Sequence, residues 1–264
     1  MTREANESVT QIDTDDLSLY VCPHCRGTLR AIRRWLECSG CGRRYNIRDN
    51  IPDFLLSDPA KDVHPVLRRV RVIDWLAPIY ETRLWYPNVL RLAGGKGSMS
   101  LPQLIAMIQE IIAPVAGCVL DVACGPGTFG RRVANNSHRV YGIDISAGML
   151  KRGVILARRE HVANIRFARA QVEALPFGNE TFDAAICSGS LHLFADTVLA
   201  LREIGRTLKS GSPPFHNTWV PACGSCAEVV TGIGRLISKS ALPVTLKKGP
   251  RAKVQLQEHN LERR

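Results

Sequence analysis

Residues 118–130 read CVLDVACGPGTFG, and this stretch constrains the fold more than any other. A run of small and β-branched residues ends in Asp121, and glycines follow at 125 and 127 around Pro126. Glycine at the end of a strand lets the backbone turn tightly and approach a ligand with no Cβ in the way. The stretch therefore predicts a buried strand, a ligand-facing turn and, from GTFGRRVANN, the opening of a helix.

The flanking sequence continues that alternation. LPQLIAMIQEIIAPV has helical period, with Leu104, Ile105, Ile108, Ile111 and Ile112 on one side. RVYGIDIS, IRFARAQ and FDAAICSGS read as strands, and AGMLKRGVILARRE and DTVLALREIGRTLKSG as helices. Strands alternating with helices predict an α/β fold, a Rossmann-like parallel sheet with helices on both faces. Ligands of such folds sit beyond the carboxyl ends of the strands, which is where Gly125 and Gly127 fall. Asp144 ends the second strand, 17 residues after Gly127. A carboxylate there can accept hydrogen bonds from both hydroxyls of a ribose.

Gly125-x-Gly127-x-x-Gly130 matches a dinucleotide fingerprint. Asp121, four residues before the first glycine, suits a cationic ligand better than a pyrophosphate. The order Asp121-x-x-x-Gly125-x-Gly127 resembles motif I of the class I S-adenosylmethionine (SAM) methyltransferases. AQVEALPFGNETFDAAICSGSLHLFAD resembles that family's acidic-A-E-x-LPF stretch, its FD, the strand after it and a histidine-containing loop. LREIGRTLKSG is similar to the family's helix before the fifth strand, so the resemblance covers residues 101–211. DWLAPIYE resembles the D-x-x-A-x-x-Y segment of ubiquinone/menaquinone-biosynthesis and related small-molecule methyltransferases.

The resemblance implies methyl transfer from SAM to a small-molecule acceptor at oxygen or carbon. It implies that Asp121, Ala123 and the Gly125–Gly127 turn face the methionine part and that Asp144 holds the ribose. Ile145 and Met149 would pack near the adenine, with Gln171 and Val172 at its edge. Ser188, Leu191 and His192 would line the floor where acceptor meets methyl group, His192 being the candidate catalytic base. Gln171 stands where the family usually has an acidic residue, and its amide oxygen can still accept from the adenine amino group.

A second feature lies near the N-terminus. Cys22 and Cys25 form one Cys-x-x-Cys, Cys38 and Cys41 another, with twelve residues between the pairs. Two such knuckles supply four soft ligands in a tetrahedron, the set zinc prefers. Four protein ligands leave no open position, so the predicted Zn2+ is structural. His24 lies inside the first knuckle and is not needed as a ligand. TLRAIRRWLEC predicts two short strands around a basic turn, and Tyr45, Ile47, Ile51 and Phe54 a small apolar face against the knot. This ribbon resembles the N-terminal zinc module of ribosomal RNA guanine-N1 methyltransferases and the small zinc-ribbon partners of tRNA methyltransferases. That resemblance makes RNA the alternative acceptor.

Five segments follow: a flexible N-terminus (1–18), a zinc-ribbon module (19–57), linker or lid helices (58–100), a SAM-binding core (101–211) and an atypical basic tail (212–264). In the linker, Trp75, Tyr80, Trp85 and Tyr86 have two compatible uses, anchoring the segment and lining a pocket. After LKSG the family has an apolar strand, a helix and a hairpin, whereas residues 212–264 lack a convincing buried strand. Either a divergent substrate cap or a shifted or truncated reading frame accounts for such a tail, and the second would leave an impaired protein with C-terminal strands missing. Cys223 and Cys226 have no second pair and are read as chance.

The formal net charge of +11 favours anionic partners, although residues 1–60 carry −1 and only the tail reaches +5. The N-terminal twenty residues are polar and acidic, with no basic region and apolar core of a signal peptide. No apolar run approaches the ~18 residues of a membrane span. The sequence is read as cytoplasmic, with thiols reduced or metal-bound.

Overall fold

The computed structural model describes residues 12–55, 74–75, 77–82, 100–112, 117–134, 139–188 and 190–210. The expectations for Trp85 and Tyr86, for most of the linker, for the first eleven residues, and for the tail with Cys223 and Cys226 lie outside the described residues.

Eight strands are described: β1 (Leu29–Ile32), β2 (Trp35–Cys38), β3 (Arg44–Arg48), β4 (Ile51–Asp53), β5 (Cys118–Val122), β6 (Arg139–Asp144), β7 (Ile165–Arg169) and β8 (Ala184–Cys187). They form one mixed sheet in the order β1-β2-β3-β4-β7-β6-β5-β8. The β7-β6-β5-β8 half is parallel, as the alternation with helices Leu101–Ile112, Thr128–Ala134, Ala147–Arg159 and Thr197–Thr207 requires. Two of these helices start at side-chain caps: Ser146 accepts from Met149 N–H at 3.1 Å, and Asp196 from Leu199 N–H at 2.9 Å.

Strand alternation sorts the core into two layers. Val119, Val140, Ile165, Phe167 and Ile186 face one side, where Leu104, Ile108, Ile112, Val133 and Leu150 cover them. Leu120, Val122, Tyr141, Ile143 and Cys187 face the other. On that second face the ribbon is a covering layer. Tyr20, Leu29, Leu36, Tyr45, Ile47 and Phe54 join one continuous apolar cluster with Phe177, Phe182, Ala200 and Ile204. Tyr20 stacks on Phe177 with ring centroids 5.2 Å apart and leans on Phe54 at the same distance.

The ribbon is also continuous with the sheet. β1 to β4 form an antiparallel meander, and β4 then pairs in parallel with β7 through Asp53 and Arg169. Phe54 N–H donates to Arg169 C=O at 2.7 Å. One expectation changes as a result. Tyr45, Ile47 and Phe54 face the knot, but Ile51 lies in the other layer with Phe167 and Leu150. Ile51 shares a strand face with Asp53, while Phe54 shares the opposite one with Pro52.

Candidate cofactor site and four-cysteine centre

The carboxyl ends of β5, β6, β7 and β8 lie side by side, because Val122 is in register with both Ile143 and Cys187, and Asp144 with Arg169. This one edge carries Ala123, Gly125 and Gly127 after β5, Asp144 and Ile145 at β6, Gln171 and Val172 after β7, and Ser188 after β8. The turn Leu191–Leu193 follows; the side chain of His192 lies outside the described residues.

The turn after β5 is built from left-handed residues. Gly125 has φ 56° and Gly127 φ 71°. A Cβ on Gly127 would sit 2.8 Å from the Phe167 ring, so only glycine fits there. Ala123 holds φ 51° without that freedom, a conformation an L-residue adopts at a cost.

Two carboxylates fix the turn. Asp144 Oδ2 accepts from Gly125 N–H and Oδ1 from Ser146 N–H, each at 2.8 Å. An ionised carboxylate has about four acceptor sites, and the Gly125, Ser146 and Ile145 amides engage three of them, so acceptor capacity remains for a ribose hydroxyl. Burial raises the Asp144 pKa, and the Ser146, Gly125 and Ile145 amides partly offset that. Asp121 works from beneath. It is 2% exposed, and its Oδ2 accepts from Gly130 N–H at 2.9 Å. A Cβ on Gly130 would lie 2.7 Å from that oxygen, which explains the third glycine of the fingerprint.

Burial pushes the Asp121 carboxyl up to about 7, against the pull of the Gly130 amide. A folded value above the unfolded one means that this group stabilises the fold below about pH 4. That stabilisation, on the order of 4 kcal/mol, is lost as pH rises to about 7. Urea unfolding at pH 5 and pH 8 should therefore show wild type losing more stability between the two than Asp121→Asn. Equal losses in the two proteins would exclude Asp121 as the source.

The linker contributes groups that the sequence did not assign. Asp74 accepts from Ser146 Oγ and from Gly148 N–H at 2.9 Å, so it caps the helix that follows Asp144. Glu81 accepts from Thr128 Oγ1 and pairs with Arg131 at 2.7 Å, at the start of the helix after the glycine turn. Tyr80 lies between them, its ring 3.8 Å from where a Cβ on Gly125 would be. The D-x-x-A-x-x-Y pattern marked this segment but not these contacts. Trp75, 79% exposed, does not anchor it.

The four cysteines also converge. Their Sγ atoms all lie within 4.8 Å of one another, with Cys22–Cys41 at 3.7 Å and Cys25–Cys38 at 3.4 Å. Zinc held at about 2.3 Å from each sulfur sets tetrahedral sulfurs about 3.8 Å apart, so the donor set fits that ion. Tyr45 Oη lies 3.0 Å from Cys22 Sγ. Burial opposes the Cys22 thiolate, but hydrogen bonds from Tyr45 and from the Cys25 and His24 amides outweigh it and bring the thiol down to about 7. A Cβ on Gly27 would stand 2.9 Å from Cys38 Sγ, so glycine makes room for the sulfurs.

A family model described as a methyltransferase domain matches residues 119–211. An uncharacterised methyltransferase of Mycobacterium tuberculosis is 32% identical over 139 residues, 47% of this chain and 68% of the relative. The chain belongs to the SAM-dependent methyltransferase family. An uncharacterised chloroplastic methyltransferase of Arabidopsis thaliana is 27% identical over 76% of this chain and 62% of its own length. The ubiquinone/menaquinone biosynthesis C-methyltransferase of a Marinomonas species is 38% identical over 36% of this chain and 39% of its own length. The chain thus spans less than two thirds of either of these last two relatives. No helix among the described residues is long and apolar enough to cross a membrane.

Proposed function

We propose that the protein transfers a methyl group from SAM to a small-molecule acceptor, at oxygen or carbon, and that Cys22, Cys25, Cys38 and Cys41 hold a structural Zn2+. The observation that carries the reading is the pair of buried carboxylates at one glycine turn, Asp121 below it and Asp144 beside it. Two carboxylates disfavour a pyrophosphate and favour a cation, while the remaining acceptor capacity of Asp144 suits a ribose hydroxyl. The relative named for ubiquinone/menaquinone biosynthesis supports a small acceptor.

SAM supplies an already activated methyl group on a good leaving group. The chain's own task is to fix the two ends of the cofactor and hold the acceptor in line, and such positioning supplies much of the acceleration. Asp144 orients the ribose, Ile145 and Met149 border the adenine, and Gln171 and Val172 take its edge. Asp121 and Ala123 shape the turn under the methionine end. Ser188 and Leu191 line the acceptor side, and His192 takes the proton of a weakly acidic hydroxyl or carbon acceptor.

Calorimetric titration of SAM and its demethylated product into metal-loaded, full-length protein tests this. Both are expected to bind saturably, and Asp144→Ala to abolish binding. His192→Ala should leave that affinity unchanged and lower turnover by roughly a hundredfold. A folded wild-type protein that binds neither compound rules the reading out.

One observation favours RNA as acceptor instead. At the tip of the β1–β2 hairpin, Ile32 and Trp35 are 45% and 39% exposed, beside the exposed Arg30 and Arg33. A ring next to cations is a surface on which a base can stack. An RNA affinity that falls steeply between low and moderate salt, and that Trp35→Ala weakens further, would favour it.

A further inference from the structure

We propose that Arg169 is a positioning residue through which the four-cysteine ribbon sets the shape of the cofactor site. The inference rests on the SAM-binding reading above and adds the ribbon to it. Arg169 is the last residue of β7, one strand away from Asp144 and in register with it. Its guanidinium spans two elements. Nη1 donates to Asp53 Oδ2 at 2.9 Å, and Nε donates to Ile145 C=O at 2.9 Å. Asp53 ends β4, the last strand of the ribbon meander, and its Oδ1 accepts from Leu55 N–H at 3.2 Å. Ile145 follows Asp144, whose oxygens hold the amides of Gly125 and Ser146.

The backbone duplicates the link. Arg169 C=O accepts from Phe54 N–H, and Ala170 N–H donates to Asp144 C=O at 3.1 Å. The ribbon therefore reaches the glycine turn in three steps: Asp53 to Arg169, Arg169 to Ile145, and Asp144 to Gly125. The planar guanidinium suits this position, because its fork fixes two acceptors at a set angle to one another, which a lysine ammonium does not. The Arg169 side chain is only 16% exposed and Asp53 33%, so the pair is partly shielded from solvent. β4 pairs with β7 at this one residue pair, so the side-chain link fixes an angle that a longer ladder would otherwise set.

The brace acts on the ribose and adenine end, which SAM and its demethylated product share. Arg169→Met should weaken both about tenfold and equally, with turnover at saturating SAM unchanged and metal content intact. Arg169→Lys should recover only part of the affinity. Asp53→Asn should weaken binding less than Arg169→Met, and the double variant no more than Arg169→Met alone. Hydrogen exchange of the cofactor-free protein supplies an independent readout: the Gly125 and Ser146 amides should exchange several-fold faster in Arg169→Met while the β5 amides keep their protection. Unchanged exchange at those two amides overturns the brace, as does an affinity within twofold of wild type. Failure of the wild type to bind SAM is a different result, which rejects the proposed function while the exchange data still decide the brace.

Discussion

Stripping the Zn2+ proposed for the four-cysteine centre is expected to melt the whole sheet, not the ribbon alone. The ribbon is too small to hold a core by itself, so the proposed metal would supply folding free energy there. In small zinc modules that contribution is about 10–16 kcal/mol near neutral pH, comparable with the ~5–15 kcal/mol that holds a typical domain together. Leu36, Tyr45 and Phe54 of the ribbon pack in one cluster with Tyr141, Phe177 and Phe182 of the parallel sheet. If the knuckles open, these core aromatics lose their cover and β7 loses its neighbour β4. Melting followed by far-ultraviolet circular dichroism and by tryptophan fluorescence should therefore give one coincident transition with metal, and the same joint loss after chelation. Cys38→Ser, at a buried cysteine, and Cys25→Ser, at an exposed one, should both lower the transition. A metal-free protein whose sheet melts at the wild-type temperature, with only a ribbon signal gone, would show that the two parts are energetically separate.

The sequence displayed those parts whose chemistry restricts residue choice. Gly125 and Gly127 were legible because positive φ and close approach leave few alternatives. The convergence of the four cysteines was legible because two Cys-x-x-Cys pairs at that spacing can bring four sulfurs to one point. The union of ribbon and sheet was not legible. β4 is three residues long, and its partner in β7 lies more than a hundred residues away, so no periodicity betrays the pairing. Asp74 and Glu81 were hidden for a related reason. They are single acidic residues in a proline-broken segment, and what they do depends on helix starts remote in sequence. Arg131 was the hardest to see. It stands in an arginine pair that looks like a solvated face, yet Arg132 is partly exposed and Arg131 is fully buried.

Arg131→Met is expected to cost about 3–5 kcal/mol, the range for removing one partner of a buried ion pair. The guanidinium is 0% exposed and serves three elements at once. Nη2 pairs with Glu81 at 2.7 Å, Nε with Glu160 Oε2 at 2.9 Å, and Nη1 donates to Pro126 C=O inside the glycine turn. Burial works against its charge, but the hydrogen bonds and charges of Glu160 and Glu81 outweigh that and raise its pKa. Without the arginine, Glu81 is left poorly solvated and without this cation, Glu160 keeps only Arg132, and the turn carbonyl loses its donor. In a chain of this size each kcal/mol is worth roughly 2–4 °C, so the melting point should fall by roughly 6–20 °C. Arg131→Lys should recover little, since one ammonium cannot replace a fork with three acceptors around it. Glu81→Leu combined with Arg131→Met should be more stable than Arg131→Met alone, because it removes a carboxylate left uncompensated. That reversal separates a charge network from simple packing: if the double variant falls by the sum of the two single changes, Arg131 is held by its aliphatic stem and the ion pairs contribute little.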